Sequence, residues 1–192
     1  MIFTTPLLSS PLCKFLKTAL VLFWFLATGL SASATEALPG ITSFQIKSFA
    51  ANVLQVLEGE NFVSAATFFH LDPRMTTAEK QLERENIAAT LSRIYSEFGH
   101  PDFVEPLGES RKAHYFVLQG MTIEYWKQFS RFQPVSYRVN YARLGEGYLT
   151  LAIVVYAHRL QLRELSFGLP VERADSEEMF QSLLRSLQVP TE

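Results

Sequence analysis

Cysteine is almost missing from the 192-residue sequence. The single Cys13 permits no internal disulfide and no all-cysteine metal cluster. Charge of one sign is also scarce: 17 Lys and Arg stand against 19 Asp and Glu, a net of −2. That balance gives no electrostatic case for nucleic acid. No phosphate-binding glycine loop, nucleophile elbow or dinucleotide fingerprint occurs, so NTPase, α/β-hydrolase and Rossmann chemistry have no support. Internal repeats and low-complexity tracts are absent too. What remains is 48% hydrophobic and 19% charged, the composition of a globular chain with room for one domain.

The first 34 residues read as a secretory signal peptide. Lys14 and Lys17 supply the positive charge, and no acidic residue precedes Glu36. Residues 19–30 form an apolar run, and Ala32-Ser33-Ala34 fits the small-x-small pattern before a cleavage site. Cleavage is expected between Ala34 and Thr35, leaving one α+β domain over 35–192. The run is shorter than the ~20 apolar residues of a membrane span, so no stable span is expected after cleavage. Cys13 precedes the run, which excludes a lipidated N-terminus. The expected mature chain loses two lysines, keeps every acidic residue and has no cysteine. A domain of this size buries a sufficient core without cross-links. With no Asn-x-Ser/Thr triplet, the composition favours a bacterial periplasm.

Hydrophobic period divides the rest. Residues 43–58 place Ile46, Phe49, Ala50, Val53, Leu54 and Leu57 at helical spacing, with Thr42 and Gln45 as a capping box and Gly59 as the stop. Residues 61–70 suit a short second helix ended by Asp72-Pro73. Thr76 and Glu79 form a second capping box. Leu82, Ile87, Leu91, Ile94, Tyr95 and Phe98 then make an apolar stripe that Gly99 stops. After Pro101 the period becomes two. Strands are expected over 113–125 with a bulge at Gly120, over 135–141, over 148–157 and over 160–169. Gly145-Glu146-Gly147 is the expected hairpin turn. Asp175 and Glu178 can cap a last helix, about 176–188, carrying Phe180, Leu183, Leu184 and Leu187. Segregated helices and strands predict an α+β fold with an antiparallel sheet.

Strand 148–157 is apolar on both faces, as is Tyr115-Phe116-Val117-Leu118. A bare sheet face should be polar, so part of the second face is expected to be covered. The terminal helix is the favoured cover, and a homodimer is the alternative.

This order resembles the NTF2-like superfamily, the cone-shaped α+β roll. The resemblance spans about residues 42–169. It rests on ANVLQVLEGENFVSAATFF, where a long helix passes through Leu57-Glu58-Gly59-Glu60-Asn61 into a short one. It rests also on the third helix ending in Phe98-Gly99, and on the closing strands. The helix at 176–188 is an addition to the basic pattern. The resemblance implies a curved sheet wrapped around helices, with a pocket at the cone's open end. The fold hosts enzymes, carriers and interaction modules alike.

No constellation dictates a reaction. The histidines are His70, His100, His114 and His158, and no two stand at metal-ligand spacing. His70-x-Asp72 and His100-x-Asp102 read best as helix-end and turn residues rather than as base pairs or half-sites. Isomerase-like chemistry would use a carboxylate base, Glu124 or Glu164, and a phenol donor from Tyr115, Tyr125, Tyr137, Tyr141 or Tyr156. The weak ligand-binding candidates are Tyr115, Glu124, Tyr125, Trp126, Tyr137 and Tyr141. In residues 124–132 the aromatics Trp126, Phe129 and Phe132 alternate with Lys127 and Arg131, which reads best as a connection tucking its rings under the sheet. No metal and no cofactor is called for. The expectation is a non-catalytic exported protein that binds a small apolar ligand or an envelope protein. A lyase or isomerase is the second reading, and a scaffold acting through the outer sheet face is the third.

Overall fold

Thr42 and Thr76 each open a helix with the expected reciprocal cap. Gln45 and Glu79 return their side chains to the cap backbone in α1 (Ser43–Glu58) and α3 (Thr77–Phe98). In this computed structural model, residues 38, 40–107, 113–120, 132–171, 178, 179, 181, 182 and 185 are described. Residues 1–34, expected as the signal peptide, lie outside the described residues. So do Glu124, Tyr125 and Trp126 and most of the expected terminal helix, whose five described residues are all helical. No described helix is long and apolar enough to cross a membrane.

α1 buries Ile46, Ala50, Val53 and Leu57, one residue per turn on a single stripe. α2 (Phe62–Ala66), capped by Asn61, is shorter than the sequence suggests. The chain leaves the helix after Ala66 because the next residues join the sheet. Phe69 forms a parallel bridge to Leu162, and both side chains enter the core. In α3 the stripe is Ile87, Leu91, Ile94, Tyr95 and Phe98. Leu82 departs from the expected stripe and is 54% exposed, so the first turns of α3 lie off the core. Gly99 ends the helix at φ +82, and a Cβ there would meet the Arg143 nitrogen at 2.7 Å. A left-handed backbone and a close approach both require glycine at that position.

Among the described residues the strands are β1 (Pro101–Leu107), β2 (Ala113–Gln119), β3 (Gln133–Tyr141), β4 (Gly145–Tyr156) and β5 (Arg159–Pro170). They form one sheet in the order β1-β3-β4-β5-β2, every pairing antiparallel. The fold class is therefore α+β, as the sequence predicts. β1 escapes sequence reading because it contains Pro101 and Pro106 and bulges between Phe103 and Glu105. Proline and bulges belong to edge strands, where they discourage pairing with another chain. The β3–β4 turn falls on Ala142-Arg143-Leu144, three residues ahead of the expected place. Gly145 (φ +73) supplies the left-handed residue after a three-residue turn, and Gly147 lies within the strand. The expected bulge at Gly120 borders residues 121–131, which lie outside the described residues. β2 keeps register to Gln119, and a Cβ on Gly120 would meet the His70 carbonyl at 2.7 Å.

Register separates two faces. One carries the rows Tyr137-Leu149-Phe167-Phe116 and Val135-Leu151-Leu165-Leu118 toward the helices. With Leu57, Leu91, Ile94 and Phe98 they form the core, and Phe98 meets the rings of Tyr141 and Phe167 edge-on at 4.9 and 6.0 Å. The second face carries Glu105-Arg138-Tyr148-Gly168-Tyr115, then Leu107-Ser136-Thr150-Ser166-Val117, then Pro134-Ala152-Glu164-Gln119.

Candidate functional site

Some residues on the second face are buried, while Thr150, Arg138 and Glu164 are half-buried and Glu105 is exposed. Ser166 is 6% exposed, Arg163 4%, Ala152 1% and Val154 0%. Part of the second face is thus covered within a single chain, while Glu105 and Pro134 on it are exposed. Buried polar groups cost free energy unless paired, so a face that is both polar and partly covered stands out from an ordinary core. Ser136 and Thr150 pair their hydroxyls at 2.9 Å across β3 and β4, and Ser166 continues the row on β5. On the row above, Arg138 reaches Glu105 at 2.9 Å, and the Tyr115 ring lies where a Cβ on Gly168 would stand, 2.7 Å away.

Arg163 marks one end of this face. It is the extra residue of a bulge, since β4 passes from Ala152 to Ile153 while β5 passes from Glu164 to Leu162. Its guanidinium lies 3.7 Å from Glu164 and 4.2 Å from the centre of the Phe132 ring. Burial lowers its pKa to about 10, against the raising effect of Glu164. Phe132 closes the aromatic-basic segment at 124–132. That ring lies over Arg163 but is 37% exposed, so it is not tucked under the sheet, and the rest of the segment lies outside the described residues.

His70 stands at the same end. The bridge Phe69–Leu162 sends Phe69 into the core and His70 to the opposite face. Its Nδ1 lies 2.5 Å from Gln161 Oε1, which can only accept, so Nδ1 carries the proton. The ring packs on Tyr156 with centres 4.5 Å apart. Burial lowers the pKa of His70, opposed by the Gln161 hydrogen bond and by Asp72. Asp72 does not orient the imidazole. Its oxygens accept from Arg74 Nε at 3.0 Å, Arg74 Nη2 at 2.5 Å and the Arg74 N–H at 2.9 Å, and these bonds hold its carboxyl below the usual range. His100 likewise turns from Asp102 to Glu60, at 3.1 Å. Sequence proximity misleads for both pairs, because the true partner of each histidine lies 40 or more residues away.

Of the expected tyrosines, Tyr141 and Tyr115 stand close enough to interact electrostatically, although they start from opposite faces of the sheet. Tyr141 is a core residue whose hydroxyl donates to the Tyr148 carbonyl at 3.2 Å. Tyr137 is half-buried on the same face, and burial raises the pKa of both phenols. Tyr115 lies on the second face, three strands from Tyr137, a lateral step of about 14 Å. Among the described carboxylates with a resolved shift, only Glu83 is raised, by burial, and it stands on α3 away from every strand. No group of three or more His, Cys, Asp or Glu among the described residues could hold a metal ion. Gln161, Arg163 and Ser166 escaped the sequence reading of the site, and His70 was read there only as a helix-end residue. The one signal for the first three was polar residues inside an expected strand. Comparison with known proteins finds no matching family model, curated relative or solved structure.

Proposed function

We propose that this chain is an exported, non-catalytic binding protein of the NTF2-like kind, seated on the second face of its sheet. One observation carries the reading: a row of hydroxyls, with Ser136 and Ser166 buried and Thr150 half-buried between them, runs between Tyr115 and Tyr148 on one side and Ala152 on the other. Such a strip offers hydrogen bonds inside an apolar frame, the pattern of a small-molecule seat. The matching ligand is small and largely apolar, with one hydrogen-bonding group. The helix-facing side is a poorer seat, because Leu149, Leu151, Leu165 and Phe167 already pack there against the helices. Catalysis draws no support from Tyr141, whose hydroxyl is spent on the Tyr148 carbonyl, or from Glu164, which is engaged by Arg163.

The test is native mass spectrometry of protein recovered from the periplasm of an expressing bacterium. The expected spectrum shows a monomer beginning at Thr35 with a non-covalent small-molecule adduct. A bare dimer would favour a scaffold instead. Unprocessed protein confined to membranes would overturn the exported reading.

A further inference from the structure

The chain is anchored in the core before its first helix begins. Leu38 is 3% exposed and belongs to the same core as Leu57, Leu91 and Phe98. Its carbonyl accepts from the Ile41 N–H at 3.1 Å. Gly40, inside that turn, holds φ +74, a left-handed backbone that favours glycine. A Cβ on Gly40 would stand in open space, so the backbone conformation alone calls for glycine there. Ile41 packs against the core, and Thr42 at once caps α1. A buried leucine, a glycine turn and a helix cap therefore follow one another from Leu38 to Thr42, and together they fix where the chain enters the fold.

On the exported reading, on which this inference rests, the leader is cut between Ala34 and Thr35. Thr35, Glu36 and Ala37 alone separate that bond from Leu38. Four residues fully extended reach at most about 14 Å. A folded domain of the expected mature size has a radius of gyration of about 15 Å. The bond therefore stays closer to the Leu38 seat than the domain is wide. A peptidase takes its substrate as an extended strand and needs chain on both sides of the cut. With Leu38 seated, the chain on the product side enters the fold after three residues. We propose that Leu38 is a timing lock on leader removal: the Ala34–Thr35 bond is cut while Leu38 is unseated, and seating Leu38 closes that bond to the peptidase. The step is hydrolysis, in which water adds across the amide and leaves a carboxylate on Ala34 and an ammonium on Thr35. A chain cut before its core closes is released as mature protein. A chain that folds first keeps its apolar run, residues 19–30, and stays at the membrane. Later cutting proceeds only through the fraction of molecules in which the Leu38 seat has opened.

The test uses the full-length precursor and purified signal peptidase in detergent. The peptidase is added either at the moment of dilution from urea or after refolding is complete. Mass spectrometry follows the product that begins at Thr35. Cutting should be at least about tenfold slower after refolding. Leu38→Ala, shown to be folded by near-ultraviolet circular dichroism, should recover most of that loss, and Gly40→Ala part of it. An insertion of about six Gly and Ser residues after Ala37 keeps the Leu38 seat and lengthens the reach, so it should recover the rate as well. That insertion carries the test if Leu38→Ala does not fold. Equal rates before and after refolding, or protection that survives both Leu38→Ala and the insertion, would overturn the proposal alone. No product beginning at Thr35 under either condition would overturn the exported reading and the proposal with it.

Discussion

Gly147 and Gly168 sit on neighbouring strands, and each lies under a tyrosine ring, but on opposite faces of the sheet. A Cβ on Gly147 would stand 2.5 Å from the Tyr141 ring and 2.8 Å from the Gly168 carbonyl. A Cβ on Gly168 would stand 2.7 Å from the Tyr115 ring. Tyr141 is locked in the core by Phe98 and by its hydroxyl bond to Tyr148. Tyr115 is only half-buried, on the outermost described strand. The same local motif therefore has two meanings. On the first face it is packing, and any change is a change in stability. On the second it holds an aromatic ring over a row of hydroxyls, and a change there should act on binding more than on folding.

The two faces can be pulled apart by substitution. Leu151→Ala removes a fully buried first-face side chain and should cost about 3–4 kcal/mol in urea denaturation. Gly147→Ala comes next, at about 2–3 kcal/mol, because neither Tyr141 nor the β5 backbone can yield. Gly168→Ala should cost about 1 kcal/mol or less, since a half-buried Tyr115 ring, not backbone, stands nearest. Equal costs for the two glycines would break the comparison.

In the window just below pH 6.5, acid should weaken the fold through His70. The His70 pKa lies below its ordinary value of 6.5 because the ring is buried. Below pH 6.5 the unfolded chain therefore binds more protons than the folded one. The stability is complete above that pH and declines as pH falls toward the folded value. Urea midpoints at about pH 7.5 and 5.5 should differ in the wild type and converge in His70→Gln. The smallest effect serves as a control, because it touches both faces alike. Ala157 and His158 hold φ +47 and +63 in the two-residue β4–β5 turn, a geometry that favours Asn-Gly. Replacing the pair by Asn-Gly should raise stability by about 1 kcal/mol and leave any adduct intact.

Local chemistry made the helices legible. Thr42 with Gln45, and Thr76 with Glu79, act within four residues, so their caps can be read directly from the chain. The alternation Val135, Tyr137, Val139 and Tyr141 gave the inward face of β3 for the same reason. What stayed hidden depends on distant partners. α2 stops early because Phe69 finds Leu162, and His70 turns to Gln161, 91 residues on. The turn at Gly145 was misplaced because two glycines stood close together. Only the Tyr141 ring shows that Gly147 belongs inside the strand. The candidate site was the least legible part. Tyrosines that look alike in sequence divide between two faces, and the hydroxyl row appears only once the register is known.

The most direct test compares native mass spectra of three proteins purified alike: wild type, Gly168→Ala and Leu151→Val. The account predicts a small-molecule adduct on the wild type, kept by the first-face variant Leu151→Val. It predicts an adduct at least about tenfold less abundant on a folded Gly168→Ala. An adduct that survives in Gly168→Ala and disappears in Leu151→Val would move the seat to the helix-facing side and contradict the account.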